Sequence, residues 1–159
     1  MAVATSAAEL AERELVITRV LNAPRKLVFK AWTDPAHLVR WYGPQGFQLT
    51  SCEMDLRPGG AFRFSMRSPE GKDYPHSGVY REVVEPEKLV FSFAWEDETG
   101  RRGHETLVTL TLAEQGDKTQ LTMRQAVFES VESRDSHEGG WSSALERLAA
   151  YVANERAGN

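Results

Sequence analysis

Cysteine is almost absent from the sequence, and no cluster of histidines replaces it as a source of metal ligands. Cys52 is the only cysteine among 159 residues, which excludes an internal disulfide and a thiolate metal cluster. A single cysteine also favours a reducing compartment. The four histidines, His37, His76, His104 and His137, form no HxxxH or HxH pair. We therefore expect no metal site and no cofactor.

Long apolar runs and an excess of basic residues are absent as well. No stretch approaches the roughly 18 apolar residues that a membrane span needs. The first residues, "MAVATSAAELAERE", have neither the basic start nor the apolar run of a signal peptide. With 19 basic and 23 acidic residues the net charge is −4, which disfavours a nucleic-acid partner. We expect a cytoplasmic protein without membrane or nucleic-acid partners, present as a monomer or weak dimer.

Aromatic rings are concentrated in one interrupted stretch, "AWTDPAHLVRWYGPQGF" (31–47). It contains Trp32, Trp41, Tyr42 and Phe47, but two prolines and two glycines break it. These breaks exclude one long core helix, because proline and glycine both interrupt helices. The stretch instead predicts two short helices whose tryptophans pack against a sheet or contact a ligand.

The starts of the two short helices are marked by capping residues. Asn22 is expected to cap the first helix, with Pro24 in its first turn. Thr33 or Asp34 is expected to cap the second helix, with Pro35 in its first turn.

Apolar residues alternate with polar ones through most of the remaining chain, which predicts strands. In the first strand after the helices, Phe47, Leu49 and Ser51 are expected to face away from Cys52. Seven strands are predicted, in chain order "ELVITRVL", "FQLTSCEMDL", "AFRFSMRS", "HSGVYREVVE", "LVFSFAWE", "ETLVTLTLAE" and "TQLTMRQAVF".

The final segment, "SRDSHEGGWSSALERLAAYVANE", returns to helical spacing, with Ser133 or Asp135 as its expected cap. Its apolar positions form one continuous stripe, made of Trp141, Leu145, Leu148 and Val152. The two glycines before Trp141 have two explanations. They allow the helix to approach the sheet closely around a core tryptophan, or they let the backbone flex beside a pocket floor.

The order of elements predicts an α+β fold of the form β-α-α-β6-α. Short turns make consecutive strands antiparallel, and about seven twisted strands curl around the long C-terminal helix. We expect a flexible lead-in over residues 1–13 and a single domain over 14–155. The short helices close part of the gap at one end of the sheet, and the remaining gap is expected to be a cavity lined by rings and methionines.

Three stretches carry a family resemblance: "NAPRKLVFKAWTDPAHLVRWYGPQGF", "GVYREVVEPEKLVFSFAW" and "HEGGWSSALERLAAYV". They resemble the activator-of-heat-shock-ATPase-like branch of the START / birch-pollen-allergen (SRPBCC) superfamily, over about residues 14–152. The resemblance implies a helix-grip fold, in agreement with the predicted order of elements. It supplies no catalytic motif, because the superfamily includes lipid carriers, hormone receptors, aromatic cyclases and chaperone partners.

The candidate ligand-binding residues are those expected on the inner face of the sheet and on the facing helices. His76 and Tyr80 share a strand face because their spacing is even, but the sequence leaves open whether that face is the inner one. No catalytic residue is assigned. The candidates are Trp41, Phe64, Met66, His76, Tyr80, Phe91, Phe93, Trp95, Met123, Trp141 and Leu145.

Three functions are compatible with these features. The first is a binding protein for a small hydrophobic or aromatic molecule in an internal cavity. The second is a cyclase or dehydratase acting on a polyketide-like substrate, with His76, Tyr80 or Glu105 moving protons. The third, implied by the resemblance alone, is a chaperone-partner domain that stimulates a heat-shock ATPase.

Overall fold

A computed structural model describes residues 6–158 of the chain. Four helices and seven strands follow one another along these residues. In chain order they are α1 (Ala7–Glu12), β1 (Leu15–Leu21), α2 (Arg25–Thr33), α3 (Pro35–Trp41), β2 (Gln48–Met54), β3 (Ala61–Arg67), β4 (Asp73–Val84), β5 (Lys88–Trp95), β6 (Thr106–Gln115), β7 (Lys118–Ala126) and α4 (Val131–Gly158).

The seven strands form one antiparallel sheet in the order β1-β7-β6-β5-β4-β3-β2. Strands β2 to β7 are neighbours in the order in which they occur, because short turns join them. Strand β7 pairs with β1, so β1 and β2 are the two edge strands of the sheet. Helices α2 and α3, which lie between β1 and β2 in the chain, connect these opposite edges. Together with α4 against the inner face, this arrangement confirms the predicted α+β helix-grip fold.

The two short helices form where the interrupted aromatic stretch predicted them. Asp34 accepts a hydrogen bond from the Ala36 amide at 2.9 Å, and Pro35 begins α3, as expected. The cap predicted for α2 is wrong: Pro24 occupies that position, and no side chain caps the helix. Asn22 instead accepts a hydrogen bond from Arg156 of α4.

The long helix α4 begins earlier than predicted. Its first turn is capped by Ser130, whose hydroxyl oxygen accepts a hydrogen bond from the Ser133 amide at 3.1 Å. Ser133 and Asp135, the expected caps, lie inside the helix. The predicted stripe from Trp141 to Val152 is buried against the sheet, because helical spacing places its members on one face.

The predicted orientation of Cys52 is wrong, and a β-bulge is the cause. The pairing between β2 and β3 shifts between Leu49 and Ser51. The extra residue reverses the alternation beyond it, so Cys52 and Leu49 both pack against the core. Burial raises the pKa of the Cys52 thiol to about 11, so this cysteine is a protonated packing residue at neutral pH.

The lead-in predicted over residues 1–13 lies partly outside the described residues, which begin at Ser6. Within the described part, residues 7–12 form α1, a single short helix with no buried residue. Ser6 caps it by accepting a hydrogen bond from the Glu9 amide at 3.1 Å. The sequence did not predict this helix.

The hydrophobic core lies between the inner face of the sheet and the three helices α2, α3 and α4. Trp32 of α2 and Trp41 of α3 meet edge to face at 4.8 Å, and both rings are buried. These two helices fill one part of the space under the sheet. A second part, beside the first half of α4, is left unfilled.

Candidate ligand-binding site

A cavity of about 400 Å³ lies between the first half of α4, the loop of residues 42–47 and the ends of β3, β4 and β5. Its volume falls within the range of ligand pockets in proteins, roughly 300–1,000 Å³. Its lining consists of Tyr42, Gly43, Pro44, Phe47, Met66, Tyr74, Phe93, Trp95, Ser136, His137, Gly140, Trp141 and Ala144.

Small residues on α4 leave this space open. Gly140 and Ala144 lie one helical turn apart and both line the cavity. The expectation that the two glycines permit a close approach to the sheet is wrong. A side chain at Gly139 would meet no atom within 4 Å, and one at Gly140 would meet only Pro44, at 3.9 Å. The glycines therefore cost helix stability without a packing reason, and at Gly140 the missing side chain enlarges the cavity.

The loop of residues 42–47 forms one wall of the cavity and requires glycine at its start. Gly43 has φ +102°, and a side chain there would approach the Met66 sulfur to 2.9 Å. Both the left-handed backbone and this contact exclude larger residues.

Arg147 of α4 holds the same loop through its carbonyl groups. Its Nη1 donates to the carbonyl oxygens of Gly43, Pro44 and Phe47 at 3.0, 3.1 and 3.2 Å. Ser143, also on α4, accepts a hydrogen bond from the Gln45 amide at 2.8 Å. The wall is thus fixed to α4 by hydrogen bonds, of which those from Arg147 are charge-assisted.

Replacing Arg147 with methionine should loosen this wall. We expect Arg147→Met to lower the free energy of unfolding by about 1–2 kcal/mol in urea, because several loop carbonyls lose a charged donor. The Phe47 amide, bonded to the Pro44 carbonyl at 3.0 Å, should exchange its hydrogen faster. Arg156→Met, the same change at a partly exposed arginine that bonds Asp117 and Asn22, is the control. Equal losses in both variants would contradict the role of Arg147.

Tyr42, which lines the cavity, forms a hydrogen-bonded pair with the buried His76 behind it. The Tyr42 hydroxyl lies 2.8 Å from His76 Nε2, and His76 Nδ1 lies 3.1 Å from the Tyr74 carbonyl oxygen. A carbonyl only accepts, so Nδ1 carries the proton, Nε2 accepts, and Tyr42 donates. Burial lowers the pKa of His76 to about 4 and raises the pKa of Tyr42. Both groups are therefore neutral at pH 7.

A second histidine, His137, lines the cavity and is also held in one tautomer. Its Nδ1 lies 2.9 Å from the Ser133 carbonyl oxygen, and its Nε2 accepts from the Trp95 indole at 3.1 Å. Burial lowers the pKa of His137, which favours the neutral ring. The indole of Trp141, on the same helix, donates to Gln125 Oε1 at 2.9 Å.

The cavity is therefore aromatic and uncharged. None of the described residues that line it carries a charged side chain at neutral pH. Lys72 stands 5.2 Å from the centre of the Tyr74 ring, but outside the lining. Three of the lining residues, Tyr42, Tyr74 and Ser136, carry hydroxyl groups. Such a lining suits a neutral, flat and mainly apolar molecule.

The structure gathers only some of the predicted site residues around this cavity. Met66, Phe93, Trp95 and Trp141 line it. His76 and Tyr80 do face inward, with 0% and 3% exposure, and His76 contacts the wall through Tyr42. The remaining candidates lie away from this cavity, in the core or around a smaller void: Trp41, Phe64, Tyr80, Phe91, Met123 and Leu145.

Several lining residues were missed, although the sequence contained a signal for two of them. His137 precedes Trp141 by four residues, so extending the helical stripe by one turn identifies it. Tyr74 precedes His76 by two residues and shares its strand face, but the predicted strand begins only at His76. Phe47 and Tyr42 depend on the path of the loop, for which the sequence contains no periodic pattern.

Within residues 6–158, no three or more histidine, cysteine, aspartate or glutamate side chains are grouped so that they could hold a metal ion. In the same part of the chain, every helix is too short or too polar to cross a membrane.

A curved antiparallel sheet that holds one long helix beside an aromatic cavity defines a protein of the helix-grip class. The model of the family "Activator of Hsp90 ATPase homolog 1-like protein" matches residues 22–153, and the chain belongs to this family, within the START-like (SRPBCC) superfamily. The resemblance read from the sequence is thereby confirmed. The fold is in general a ligand-binding fold.

Solved structures support the same assignment. The AHSA1 protein from Silicibacter pomeroyi is 30% identical, with a TM-score of 0.81 over 89% of this chain and 99% of its own. A protein from Nitrosomonas europaea is 28% identical, with a TM-score of 0.77 over 92% and 98% of the two chains. One from Chromobacterium violaceum is 28% identical, with a TM-score of 0.78 over 89% and 97%. None of the curated proteins matches the chain.

Proposed function

We propose that the protein binds a small, neutral, hydrophobic or aromatic molecule in the cavity between the sheet and α4. The cavity of about 400 Å³ with an uncharged, ring-rich lining carries this proposal. The lining exposes mainly apolar surface, from Phe47, Phe93 and Trp141 among others, and a bound apolar molecule would remove that surface from water.

Aromatic side chains on three sides favour a flat ligand. The rings of Phe93 and Trp95 meet edge to face at 5.0 Å, and the Phe47 and Tyr74 rings lie 5.7 Å apart. Trp141 adds a ring from the helix side. Rings in such positions stack on or meet the edge of a planar molecule at little entropic cost.

Filling the cavity from Gly140 should weaken binding. We expect Gly140→Leu to weaken binding of the neutral fluorescent probe N-phenyl-1-naphthylamine by at least about tenfold. The leucine side chain enters the cavity, and its nearest obstacle, Pro44, is 3.9 Å from the new Cβ. The fold should gain stability, because glycine costs about 0.5–1 kcal/mol within a helix. Probe fluorescence during titration measures the affinity.

The neighbouring glycine provides a matched control. Gly139→Leu makes the same change at an exposed position where no atom lies within 4 Å and which does not line the cavity. It should raise the melting temperature in the same way and leave the affinity within about twofold. Equal affinities in Gly140→Leu and Gly139→Leu would place binding elsewhere. A wild-type protein that binds no apolar probe would refute the proposal.

The two alternative functions have less support. The groups considered for proton transfer are not gathered at the cavity: His76 is buried behind its wall, and Glu105 forms an ion pair with Arg102. A chaperone-partner role rests on the family description alone. We therefore place ligand binding first.

A further inference from the structure

One buried hydrogen-bond donor in the core lacks a partner. Trp32 is 3% exposed, and its indole Nε1 has no hydrogen-bond acceptor among residues 6–158. The indole of Trp41, its neighbour, does have one, the Ala31 carbonyl at 2.9 Å. Leaving a buried N–H unpaired is destabilising, and such groups are rare in native proteins. The Trp32 indole N–H can therefore donate to a partner from outside the chain.

Trp32 borders a small void that could hold such a partner. The void has a volume of about 10 Å³, close to the roughly 10–15 Å³ that a single water-sized group occupies. Two other polar side chains border it, Tyr42 and Tyr80, and the rest of its wall is apolar. Burial raises the pKa of Tyr80, so its hydroxyl keeps the proton and can donate.

The void and the ligand cavity share one lining residue, Tyr42, whose hydroxyl is held by the hydrogen bond to His76. The Trp32 ring lies 5.8 Å from the ring of Trp141, which lines the cavity. A ligand that reaches from the cavity into the void must displace the Tyr42 ring and break the Tyr42–His76 hydrogen bond.

We propose that this void is the inner end of the ligand pocket and receives a hydrogen-bond-accepting group of the ligand, a carbonyl oxygen, on the Trp32 indole. The inference rests on the proposed function and adds a polar end to the ligand. A carbonyl oxygen fits because it requires only donors, which Trp32 and Tyr80 supply. The ligand class is therefore a neutral aromatic molecule with a terminal ketone, aldehyde or amide carbonyl.

A pair of compounds of equal shape tests this. The ketone 2-acetylnaphthalene and the alkene 2-isopropenylnaphthalene differ only in C=O against C=CH2. We expect the wild-type protein to bind the ketone about tenfold more tightly, which corresponds to ~1.4 kcal/mol. In Trp32→Phe, which lacks the donor, the ratio of the two affinities should fall to about one. The ratio cancels effects of the substitution on cavity shape.

Nuclear magnetic resonance of the wild-type protein gives a second measurement, which does not require a variant to fold. The indole N–H proton of Trp32 should move downfield with the ketone and much less with the alkene, because only the ketone accepts its hydrogen bond. The indole proton of Trp41, already bonded to Ala31, is the internal control. Equal affinities for the ketone and the alkene, together with an unmoved Trp32 signal, would overturn the inner subsite and leave the proposed function intact. Failure of both compounds to bind would overturn both.

Discussion

Trp41→Ala should lower the free energy of unfolding by about 3–5 kcal/mol, the range for large aromatic residues removed from a core. Trp41 is 0% exposed, meets Trp32 edge to face at 4.8 Å, and donates its indole N–H to the Ala31 carbonyl. Its removal opens a cavity between α3 and the sheet and leaves that carbonyl without its donor. Urea unfolding followed by circular dichroism measures the loss. A domain of ordinary stability has about 5–15 kcal/mol, so the variant should be marginal.

Trp95 provides the matched control for this prediction. It is 36% exposed at the end of β5, so Trp95→Ala should cost clearly less stability. For ligand binding we expect the opposite order, with the larger effect at Trp95 and the smaller at Trp41. Trp95 lines the cavity and Trp41 does not, so Trp95→Ala should weaken probe binding, whereas the milder Trp41→Phe should leave it within about twofold. If Trp41→Phe weakened binding as much as Trp95→Ala, Trp41 would be a site residue, as its sequence position predicts.

The fold was predictable because its signals are local and periodic. In β3, Phe62, Phe64 and Met66 alternate with polar residues, and the structure buries these three residues. In α4, the stripe beginning at Trp141 follows helical spacing and is buried along its length. Such patterns determine which face of each element is buried, and short turns then determine the order of the strands.

The errors arose where one residue changed the local pattern. The bulge in β2 adds a residue without any marker in the sequence, and therefore reversed the predicted side of Cys52. Helix α4 begins at Val131 because Ser130 caps it, but Ser133 and Asp135 are equally good caps by type. Element boundaries depend on such choices, which tertiary packing decides.

The site was predictable only in part, because its geometry depends on contacts between distant residues. Tyr42 and His76 are 34 positions apart, and their hydrogen bond depends on where the loop after α3 crosses the sheet. The inward alternation correctly placed Phe93 and Met66 on the inner face, but could not distinguish positions beside the cavity from positions in the filled core. Which positions lie beside the cavity depends on where α4 leaves space unfilled, and Gly140, which has no side chain, is the main such point.

The buried histidine should make the protein acid-sensitive well above the range in which most carboxylates titrate. Burial lowers the pKa of His76 from 6.5 to about 4, with the Tyr74 carbonyl and Glu96 opposing the shift and His137 adding to it. Between these pH values the unfolded chain binds a proton at this position and the folded protein does not. Stability therefore falls as the pH is lowered from 6.5 towards 4, and the contribution of the neutral ring is complete above 6.5.

The size of this loss of stability follows from the two pKa values of His76, 6.5 in the unfolded chain and about 4 in the folded protein. At pH 4.5 the loss attributable to His76 should be about 2–3 kcal/mol relative to pH 7.5, since one pKa unit corresponds to about 1.36 kcal/mol. Urea unfolding at several pH values measures it. His76→Gln removes the titration while its amide oxygen can still accept from Tyr42, so the difference between variant and wild type isolates His76 from His137 and Glu96. Parallel pH profiles would contradict the buried neutral ring of His76 and its accepted hydrogen bond from Tyr42.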